Sequence, residues 1–600
     1  MQARRPNLVK KSEVRILRKT KIICTVGPAC ESEEMLTKMI NSGMNVARIN
    51  FSHGVHEEHK IKIDRIKKLR SKLNMPVAIL LDTKGPEVRT GKLENAPVNL
   101  VAGDEFILTT EEVPGTNERV PVTYKNLPQN LTRGNTLMID DGLIELRVKE
   151  VKNTEVVCDI ITGGALGNSK SVNVPGVSLD MPYMSDIDKR DIRFGIEQDV
   201  DFIALSFVRT PQDVKEVRRF LQSYGCYNIE LIAKIENMEG VENISDIINA
   251  AEGIMVARGD MGVEIPFEEL PRIQKDIIKS CYTAGKKVIT ATQMLESMIS
   301  HARPTRAEIT DVANAIYDGT SAIMLSGETA IGAYPLKSLE TMSKIAEQTE
   351  SHIDYKTFAK KTGELERFEV NITNAISDAT CRAAHDLGAS AIVAVTLNGS
   401  SARMISKFRP ETPIIAVTPN EKTYMQLALT WGVTPVKNDY IENPLELFND
   451  VANKIAEHSF VKDGDLVVIT GSSQASSGAT NMLQAHIIGN ILLKGTGNGA
   501  DNISGRVYVV KDEKEDFSRF TSGDILVVPR TTNDILHLMR QCSGIITEEN
   551  ESESGIVPAG YALNIPVIAS AKGATQILKT GAKIRINPKT GHVYNSSGEM

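Results

Sequence analysis

The sequence predicts an α/β protein whose largest part is a (β/α)8 barrel, the TIM-barrel fold. From Lys21 to about Ala330, β-branched or aliphatic runs alternate with polar loops and amphipathic stretches, as in parallel strands joined by helices. Eight of these runs have strand length, which is the number that closes such a barrel. They are Lys21–Val26, Asn45–Asn50, Val77–Leu81, Asp201–Ser206, Glu230–Ile235, Gly253–Val256, Lys287–Ala291 and Ser321–Leu325.

A separate β-barrel domain is predicted between the third and fourth barrel strands. The interval is too long for a βα loop, and residues 91–175 alternate short strand-like runs with Gly, Asn and Asp turns. The barrel is therefore expected to occupy residues 19–90 and 176–350. Strand length and composition inside the insertion are found at Glu105–Thr109, Thr136–Ile139 and Val156–Ile161.

Two further units are predicted after the barrel. A second βα series predicts an open α/β domain over residues 351–490. Its expected elements are the helix Ala375–Leu387 and the strands Ala391–Val395, Ile414–Val417 and Leu466–Ile469. The glycine-rich segment Lys494–Asp501 predicts a flexible linker into a small final domain over residues 491–600.

Composition narrows the classes of function. The chain has 600 residues and a net charge of -7, so several cores are expected and nucleic acid is not an expected partner. Seven cysteines without a CxxC pair suit reduced thiols in a cytoplasmic protein. No apolar run approaches the roughly 20 residues of a membrane span. Residues 1–18 are expected to form a solvated extension, with a transit peptide or an arm for anionic surfaces as the alternative.

Polar residues follow almost every predicted barrel strand, and in this fold the carboxyl ends of the strands form the active-site mouth. Glu236 and Asp260 follow neighbouring strands and offer two hard oxygen ligands, which suits Mg²⁺ completed by substrate and water. A second oxygen-rich cluster carries a single carboxylate and suits a monovalent cation better. Its members are Asn50, Ser52, Asp82 and Thr83.

Cationic side chains at the same mouth indicate phosphoryl chemistry. Lys234 lies two residues before Glu236, so on a strand both side chains point to the same face. A lysine in this position can neutralise a transferring phosphoryl group and a developing enolate. Arg48 and Arg89 add guanidinium groups for phosphoryl oxygens.

The carboxylate of a substrate is expected near Gly259 and Asp260. Pro266 is expected to begin a helix there, so that backbone N–H groups receive the anion, and Thr292 offers a further hydrogen bond. Each of these residues alone is more often an ion pair or a cap than a catalyst. Acids, bases, amides and hydroxyls at almost every strand end together indicate an active site.

Seven motifs resemble those of the pyruvate kinase family in order and separation, over about Lys19 to Ala485. The resemblance implies an enzyme that moves the phosphoryl group of phosphoenolpyruvate to ADP, giving pyruvate and ATP, with Mg²⁺ (or Mn²⁺) and K⁺ as cofactors. It also implies that the inserted domain closes as a lid and that the protein is a cytoplasmic homotetramer. The motifs are KTKIICTVGPA, MNVARINFSHG, LLDTKGPEVRTG, IAKIENMEG, MVARGDMGVEIP, ITATQMLESMI and AIMLSGETAIGAYP.

The resemblance also implies roles for single residues. The catalytic lysine is Lys234, the phosphate-binding arginine is Arg48, and a proton relay to the enolate is expected through Thr292 and Ser326. The implied contacts of the substrate carboxylate are Gly259, Asp260 and Thr292. The implied ligands are Glu236 and Asp260 for Mg²⁺, and Asn50, Ser52, Asp82 and Thr83 for K⁺, with Glu87 accompanying K⁺ dependence. The nucleotide phosphates are expected near Asn50, His53, Arg89 and Lys170.

The open α/β domain resembles the family's effector domain. Two loops rich in hydroxyls and glycine predict a cradle for a phosphorylated effector, with an unliganded loop as the alternative. Fructose 1,6-bisphosphate, ribose 5-phosphate and AMP all carry the required phosphate, and the sequence does not select among them. The loop residues are Thr396, Asn398, Ser400, Ser401, Arg403, Ser472, Ser473, Ser476 and Ser477.

The last hundred residues resemble the swivelling phosphohistidine domain of phosphoenolpyruvate-utilising enzymes. No histidine lies between His537 and His592, and Gly555 or a neighbour stands where the phosphohistidine is expected. The domain is therefore expected to keep the fold without the chemistry and to have a structural or regulatory role.

Two other functions fit parts of the pattern. A metal-dependent lyase would use the same Mg²⁺-enolate site, but it has no need of Lys170 or of a lid. A catalytically idle sensor would bind a sugar phosphate or nucleotide, but intact Lys234, Glu236 and Asp260 argue against it. Product analysis with phosphoenolpyruvate and ADP separates the three.

Overall fold

The computed structural model describes residues 18–355, 371–439, 444–462, 464–472, 480–489, 491–498, 500–510, 517–530, 532, 535–550 and 556–595. Eight parallel strands form a closed barrel, which confirms the predicted fold class. Each strand begins and ends within one residue of its prediction. Numbered along the chain, they are β1 (Lys21–Thr25), β2 (Val46–Asn50), β3 (Ala78–Asp82), β12 (Phe202–Leu205), β13 (Glu230–Ile235), β14 (Gly253–Ala257), β15 (Lys287–Ala291) and β16 (Ala322–Leu325).

The barrel strands are apolar almost throughout because both of their faces are covered, one by the barrel interior and one by helices. Capping residues fix where several helices begin; Ser185, for example, accepts a hydrogen bond from the Asp188 N–H group. The helices around the barrel are Glu33–Asn41, His56–Leu73, Asp186–Glu197, Pro211–Ser223, Met238–Glu242, Ile244–Ala250, Arg258–Glu264, Leu270–Thr283, Arg306–Tyr317, Gly327–Ala330 and Pro335–Glu350, with a 3-10 turn at Glu296–Ile299.

The insertion after β3 folds as two sheets around its own apolar core, which includes Phe106. The larger sheet has the strand order β11-β7-β8-β9-β5-β6, and β10 pairs with β4. The domain contacts the barrel through Asn173, whose Nδ2 donates to Glu264 Oε1 at 2.9 Å. Its elements are β4 (Val98–Leu100), β5 (Glu105–Thr109), β6 (Arg119–Pro121), helix Leu127–Asn130, β7 (Thr136–Ile139), β8 (Ile144–Val151), β9 (Glu155–Thr162), β10 (Gly164–Leu166) and β11 (Val172–Asn173).

The α/β domain docks on the base of the barrel, at the amino ends of the strands. Ala428 and Leu429 pack in the same apolar cluster as the barrel residues Ile23 and Leu80. The sheet order is β19-β18-β17-β20-β21, with only β21 antiparallel to its neighbour. Its elements are helix Ile372–Asp386, β17 (Ala391–Val395), helix Ser400–Lys407, β18 (Ile414–Thr418), helix Glu421–Gln426, 3-10 turn Leu427–Leu429, β19 (Val433–Lys437), helix Pro444–Glu457, β20 (Leu466–Gly471) and β21 (Met482–Ile487).

The final domain is an eight-stranded sheet with the order β22-β29-β28-β24-β25-β26-β27-β23. Helices Leu536–Met539, Ile556–Leu563 and Ala574–Ile577 and the 3-10 turn Phe517–Arg519 accompany it. The strands are β22 (Ile491–Lys494), β23 (Thr496–Gly497), β24 (Ile503–Val509), β25 (Ile525–Val528), β26 (Gly544–Thr547), β27 (Val567–Ala569), β28 (Lys583–Asn587) and β29 (His592–Asn595).

The prediction of a flexible linker at Lys494–Asp501 is wrong. Lys494 ends β22 and Thr496–Gly497 form β23, so the first part of this segment belongs to the sheet. Its glycines serve close packing: a Cβ on Gly497 would lie 1.9 Å from the Pro588 carbonyl oxygen. Residues 1–17 and Gly555, on which two further predictions depend, lie outside the described residues.

Candidate active site

A buried lysine stands at the centre of the barrel mouth. Lys234 Nζ donates to Ser206 Oγ at 2.7 Å and lies 3.2 Å from Asp82 Oδ1 and 2.9 Å from Glu236 Oε1. Burial alone would lower the pKa of Lys234, but the carboxylates of Asp82, Glu236 and Asp260 raise it above its ordinary value. The ammonium group is therefore held charged and pointing into the mouth.

Arg48 lies in the middle of β2 and shares Asp82 with this lysine. Its Nε donates to Asp82 Oδ2 at 2.6 Å, and its Nη1 donates to Thr25 Oγ1 at 2.9 Å. Burial opposes ionisation of Asp82, but Lys234 and Arg48 together hold its pKa below the usual range. One carboxylate thus orients two cations, an arrangement that can receive a phosphoryl group.

Glu236 and Asp260, the predicted Mg²⁺ ligands, come together at neighbouring strand ends. Burial, together with the charge of Asp260, raises the pKa of Glu236 to about 7 against the opposing effect of Lys234. Glu236 Oε2 accepts from the Phe207 N–H group at 2.6 Å, whereas Oε1 has an ion pair but no hydrogen bond among the described residues. A buried oxygen of this kind fits a divalent cation that substrate and water complete.

The four predicted K⁺ ligands occupy adjacent positions at the ends of β2 and β3. Asn50 is paired with Asp82 in register, and its Oδ1 accepts from the Ser52 N–H group at 3.2 Å. Thr83 Oγ1 accepts from the Ser206 N–H group at 3.4 Å. Because Asp82 is already bound by two cations, the remaining charge of this set fits a monovalent ion better than a divalent one.

Gly259 and Thr292 are brought together, but not by the helix that the sequence predicted. The helix at this point is Arg258–Glu264, and the next begins at Leu270, so the prediction of a start at Pro266 is wrong. The Gly259 N–H group donates to Thr292 Oγ1 at 2.8 Å. Thr292 has a φ of 65°, in the left-handed region, which aims its side chain back at the strand end of β14.

Ser326 lies at the end of β16 with a buried hydroxyl that has no hydrogen-bond partner among the described residues. Its N–H group donates to Glu328 Oε2 at 2.7 Å, and Glu328 Oε1 accepts from the Leu295 N–H group at 3.0 Å. Glu328 is fully buried. This carboxylate therefore joins the segments that carry Thr292 and Ser326.

The residues predicted near the nucleotide phosphates lie on both sides of the cleft between barrel and inserted domain. Arg89 Nε donates to Glu87 Oε2 at 2.8 Å, and burial raises the pKa of Glu87 against that arginine. Lys170 Nζ donates to Asp140 Oδ1 at 2.8 Å within the inserted domain. His53 is exposed beside the K⁺ ligands. Arg89 and Lys170 are thus tied to carboxylates, and the hydrogen bonds and ion pairs of Lys234 involve neither of them.

The predicted effector loop is ordered by its own side chains. Thr396 Oγ1 accepts from the Gly399 N–H group at 2.9 Å, and Arg403 Nη2 donates to the Asn398 carbonyl at 2.9 Å. Ser400 begins the helix that follows, and Ser401 Oγ accepts from Thr480 at 2.7 Å. Ser472 is described, whereas Ser473, Ser476 and Ser477 lie outside the described residues.

Sequence reasoning missed three residues of the mouth. Ser206 and Phe207 follow β12, and the strand-end rule that found the other residues would have found Ser206 as well. Thr25 ends β1 and holds Arg48. Phe207 could not be found in this way, because its contribution is a backbone N–H group.

Family models match in three stretches. They are "Pyruvate kinase, barrel domain" over residues 17–339, "Pyruvate kinase, alpha/beta domain" over 374–486 and "PEP-utilising enzyme, mobile domain" over 520–591. The third match confirms the resemblance of the last domain.

Full-length relatives agree with these matches. A pyruvate kinase of Staphylococcus saprophyticus is 46% identical over 581 residues, which is 96% of this chain and 99% of the relative. A pyruvate kinase of Sporosarcina psychrophila is 45% identical over 97% of this chain and 100% of the relative. A crystal structure of a pyruvate kinase from Cryptosporidium parvum superposes with a TM-score of 0.75 at 39% identity, covering 79% of this chain and 96% of that one. The protein is a phosphotransferase that belongs to the pyruvate kinase family.

Proposed function

We propose that this enzyme transfers the phosphoryl group of phosphoenolpyruvate to ADP in the cytoplasm, as in the last step of glycolysis. The observation that carries the proposal is the buried cluster of Lys234, Arg48 and Asp82, which offers two oriented cations to one phosphoryl group. A β-phosphate oxygen of ADP attacks phosphorus, and the bond from phosphorus to the enolate oxygen breaks. Lys234 neutralises the transferring group and the enolate that leaves.

The cofactor residues would act on the same atoms. Glu236 and Asp260 would hold Mg²⁺ or Mn²⁺, which supplies Lewis acidity for phosphoryl and enolate oxygens when bound. The K⁺ set would add a monovalent charge near the nucleotide phosphates. The set consists of Asn50, Ser52, Asp82 and Thr83, accompanied by Glu87.

The substrate carboxylate would bind at Gly259, Asp260 and Thr292, where backbone N–H groups begin the helix Arg258–Glu264. The enolate then takes a proton on carbon. The unpartnered hydroxyl of Ser326 supports a relay from this side of the mouth. Loss of pyruvate–enolate proton exchange in Ser326→Ala would support this relay, whereas exchange at the wild-type rate would exclude it.

The inserted domain would close as a lid that excludes water and brings Lys170 and Arg89 to the nucleotide. Its contact between Asn173 and Glu264 lies at the edge of the cleft that would close. The loops around Thr396 and Ser472 would take a phosphorylated effector, and the chain would assemble as a homotetramer. No helix in the described part of the chain is long and apolar enough to span a bilayer.

The first experiment measures ATP and pyruvate formed from phosphoenolpyruvate, ADP and Mg²⁺, with K⁺ and again with Na⁺ or a bulky organic cation. We expect stoichiometric products and a strong requirement for K⁺. Products that are indifferent to K⁺ would keep the reaction but exclude the proposed cation site. No ATP under any salt would exclude the proposed function.

A further inference from the structure

A small basic cleft lies between the base of the barrel and the α/β domain, at the opposite end of the strands from the mouth. It encloses about 20 Å³. Five basic residues line it, and none of the described residues that line it is acidic. These basic residues are Lys286, Lys287, Arg403, Lys407 and Arg409. Two of them are paired with a carboxylate outside the lining: Lys287 and Arg403 bind Glu230 at 2.5 and 3.4 Å.

Arg409 is the most unusual of these residues. Its side chain is buried and its guanidinium lies 4.4 Å from the ring centre of Trp431. Nη2 donates to the Gly319 carbonyl at 2.8 Å and to Ser321 Oγ at 3.2 Å, but Nε and Nη1 have no hydrogen-bond partner among the described residues. Burial lowers the pKa of Arg409 to about 9. A buried cation with two unpaired donors is costly unless an acceptor fills the space.

A second unpartnered group lines the same cleft. Thr430 is 3% exposed, and its Oγ1 has no hydrogen-bond partner in the described part of the chain. Thr430 lies next to Trp431, on which Arg409 stacks. Hydroxyl and guanidinium groups that face one space are the donors that bind oxyanions. Two buried residues with unused donors therefore indicate a built site rather than a gap in packing.

We propose that this cleft binds a phosphate group. An enclosed space of this size admits about one water-sized group, so one phosphate oxygen enters towards Arg409 and Thr430. The remaining oxygens stay outside this space, and two half-buried cations of the lining, Lys407 and Lys286, add positive charge there; Lys286 Nζ also donates to the Ala251 carbonyl at 2.6 Å. The site differs from the effector loop proposed above, although Arg403 belongs to both. It also does not depend on the proposed reaction, because every contact lies at the base of the barrel.

The cleft lies at the start of two barrel strands that lead to the active-site mouth. Lys287 begins β15, which ends next to Thr292, and Ser321 immediately precedes β16, which ends next to Ser326. A strand of five residues spans about 17 Å. A phosphate bound across Arg409 and the barrel base would hold the two domains together at the start of the strands that carry both relay residues.

The test follows the thermal unfolding midpoint of the full chain while inorganic phosphate replaces chloride at constant ionic strength. We expect phosphate to raise the midpoint. Thr430→Val and Lys407→Gln should each weaken the apparent phosphate affinity about tenfold, the usual effect of losing one hydrogen bond to a charged group. Neither variant alters the active site, so any phosphate bound there contributes equally to every curve. These variants are milder than a change of Arg409, which could prevent folding.

Two controls locate the bound ion. Lys437→Gln removes an exposed lysine of the same domain, outside the cleft, and should keep the wild-type response. Ser400→Ala alters the effector loop and should also keep it. If phosphate no longer raises the unfolding midpoint of Ser400→Ala but still raises that of Thr430→Val, the ion binds in the effector loop and the proposal is overturned. A midpoint no higher in phosphate than in chloride would also overturn it, since the cleft would then hold only water.

A second titration with glycerol 3-phosphate separates free phosphate from an organic ester. A lower apparent Kd for the ester would indicate contacts beyond the phosphate group, and an equal or higher one would indicate inorganic phosphate as the ligand. Both results support the site if Thr430→Val weakens the binding of phosphate and of glycerol 3-phosphate by the same factor. If Thr430→Val changes the affinity for neither probe, the proposed site is excluded.

Discussion

The two ends of the barrel strands use buried lysines in opposite ways. At the mouth, Lys234 is surrounded by carboxylates that raise its pKa above the ordinary value despite burial. At the base, Lys21 donates to the Val433 carbonyl of the α/β domain at 2.6 Å, and burial lowers its pKa to about 7. A lysine side chain is thus kept charged at the mouth, where phosphoryl transfer is proposed. At the base, a lysine side chain serves as a hydrogen-bond donor to the docked domain. Its partners, rather than its burial, decide the difference.

The largest difference in kcat is expected when the buried lysine at each end of the barrel strands is replaced in turn. Lys234→Met should lower kcat about a thousandfold or more, because a preorganised charge at a transferring group is lost. Lys21→Met removes a similarly buried amino group and should leave kcat within a few-fold, since this group donates to the docked domain at the opposite end of the strands. Steady-state rates of pyruvate formation compare the two variants. Equal losses in both would mean that the base of the barrel takes part in the reaction.

Buried carboxylates at the two ends offer a second comparison. Glu328 accepts from two N–H groups at the mouth, and Asp201 accepts from the Ile79 N–H group and from Arg70 at the base. Glu328→Ala and Asp201→Ala should each lower the free energy of unfolding by about 2–5 kcal/mol, because buried donors lose their acceptors. Only Glu328→Ala should also lower kcat, by about tenfold or more. Urea unfolding and kcat are measured on the same preparations, and a matching loss of kcat in Asp201→Ala would contradict the assignment.

Single hydroxyl groups should give a smaller contrast. Ser206→Ala removes the hydrogen bond to Lys234 and should lower kcat about tenfold, the effect of one charge-assisted bond. Ser406→Ala is the matched change at the base, where Ser406 donates to the Trp431 carbonyl at 2.7 Å. It should change kcat by less than about twofold. A kcat for Ser206→Ala equal to the wild-type value would mean that Lys234 is oriented by its carboxylates alone.

The sequence was most informative where one physical signal dominates. Apolar runs bounded by polar loops placed all eight barrel strands, because a strand covered on both faces must be apolar along its length. The position of Lys234 beside Glu236 followed from strand geometry alone. Both results come from local periodicity, which needs no knowledge of distant contacts.

Features that depend on contacts with residues far away in the chain could not be predicted from the sequence. Gly495 and Gly497 were interpreted as a linker, although they allow β27 and the Pro588 carbonyl to approach closely. The helix at Gly259 begins at the end of a strand without a capping side chain, so Pro266 was taken as the start. The unpaired donors of Arg409 appear only when two domains are docked. The first and third cases concern packing between segments far apart in the chain, and the second concerns a helix start without the usual capping signal.

A pH dependence of stability is also expected from Lys21, and it tests the comparison through the charge of one residue. Its pKa is about 7 in the folded protein against 10.5 ordinarily, so between these values the unfolded chain binds a proton that the folded protein lacks. The free energy of unfolding should therefore rise with pH across this range, relative to Lys21→Met, by no more than about 1.4 kcal/mol per pH unit. Urea midpoints of both proteins at pH 7, 8.5 and 10 give this difference, in which other titrating groups cancel. A flat difference would mean that Lys21 stays charged in the folded protein, and the contrast between the two ends would then rest on hydrogen-bond partners rather than on charge.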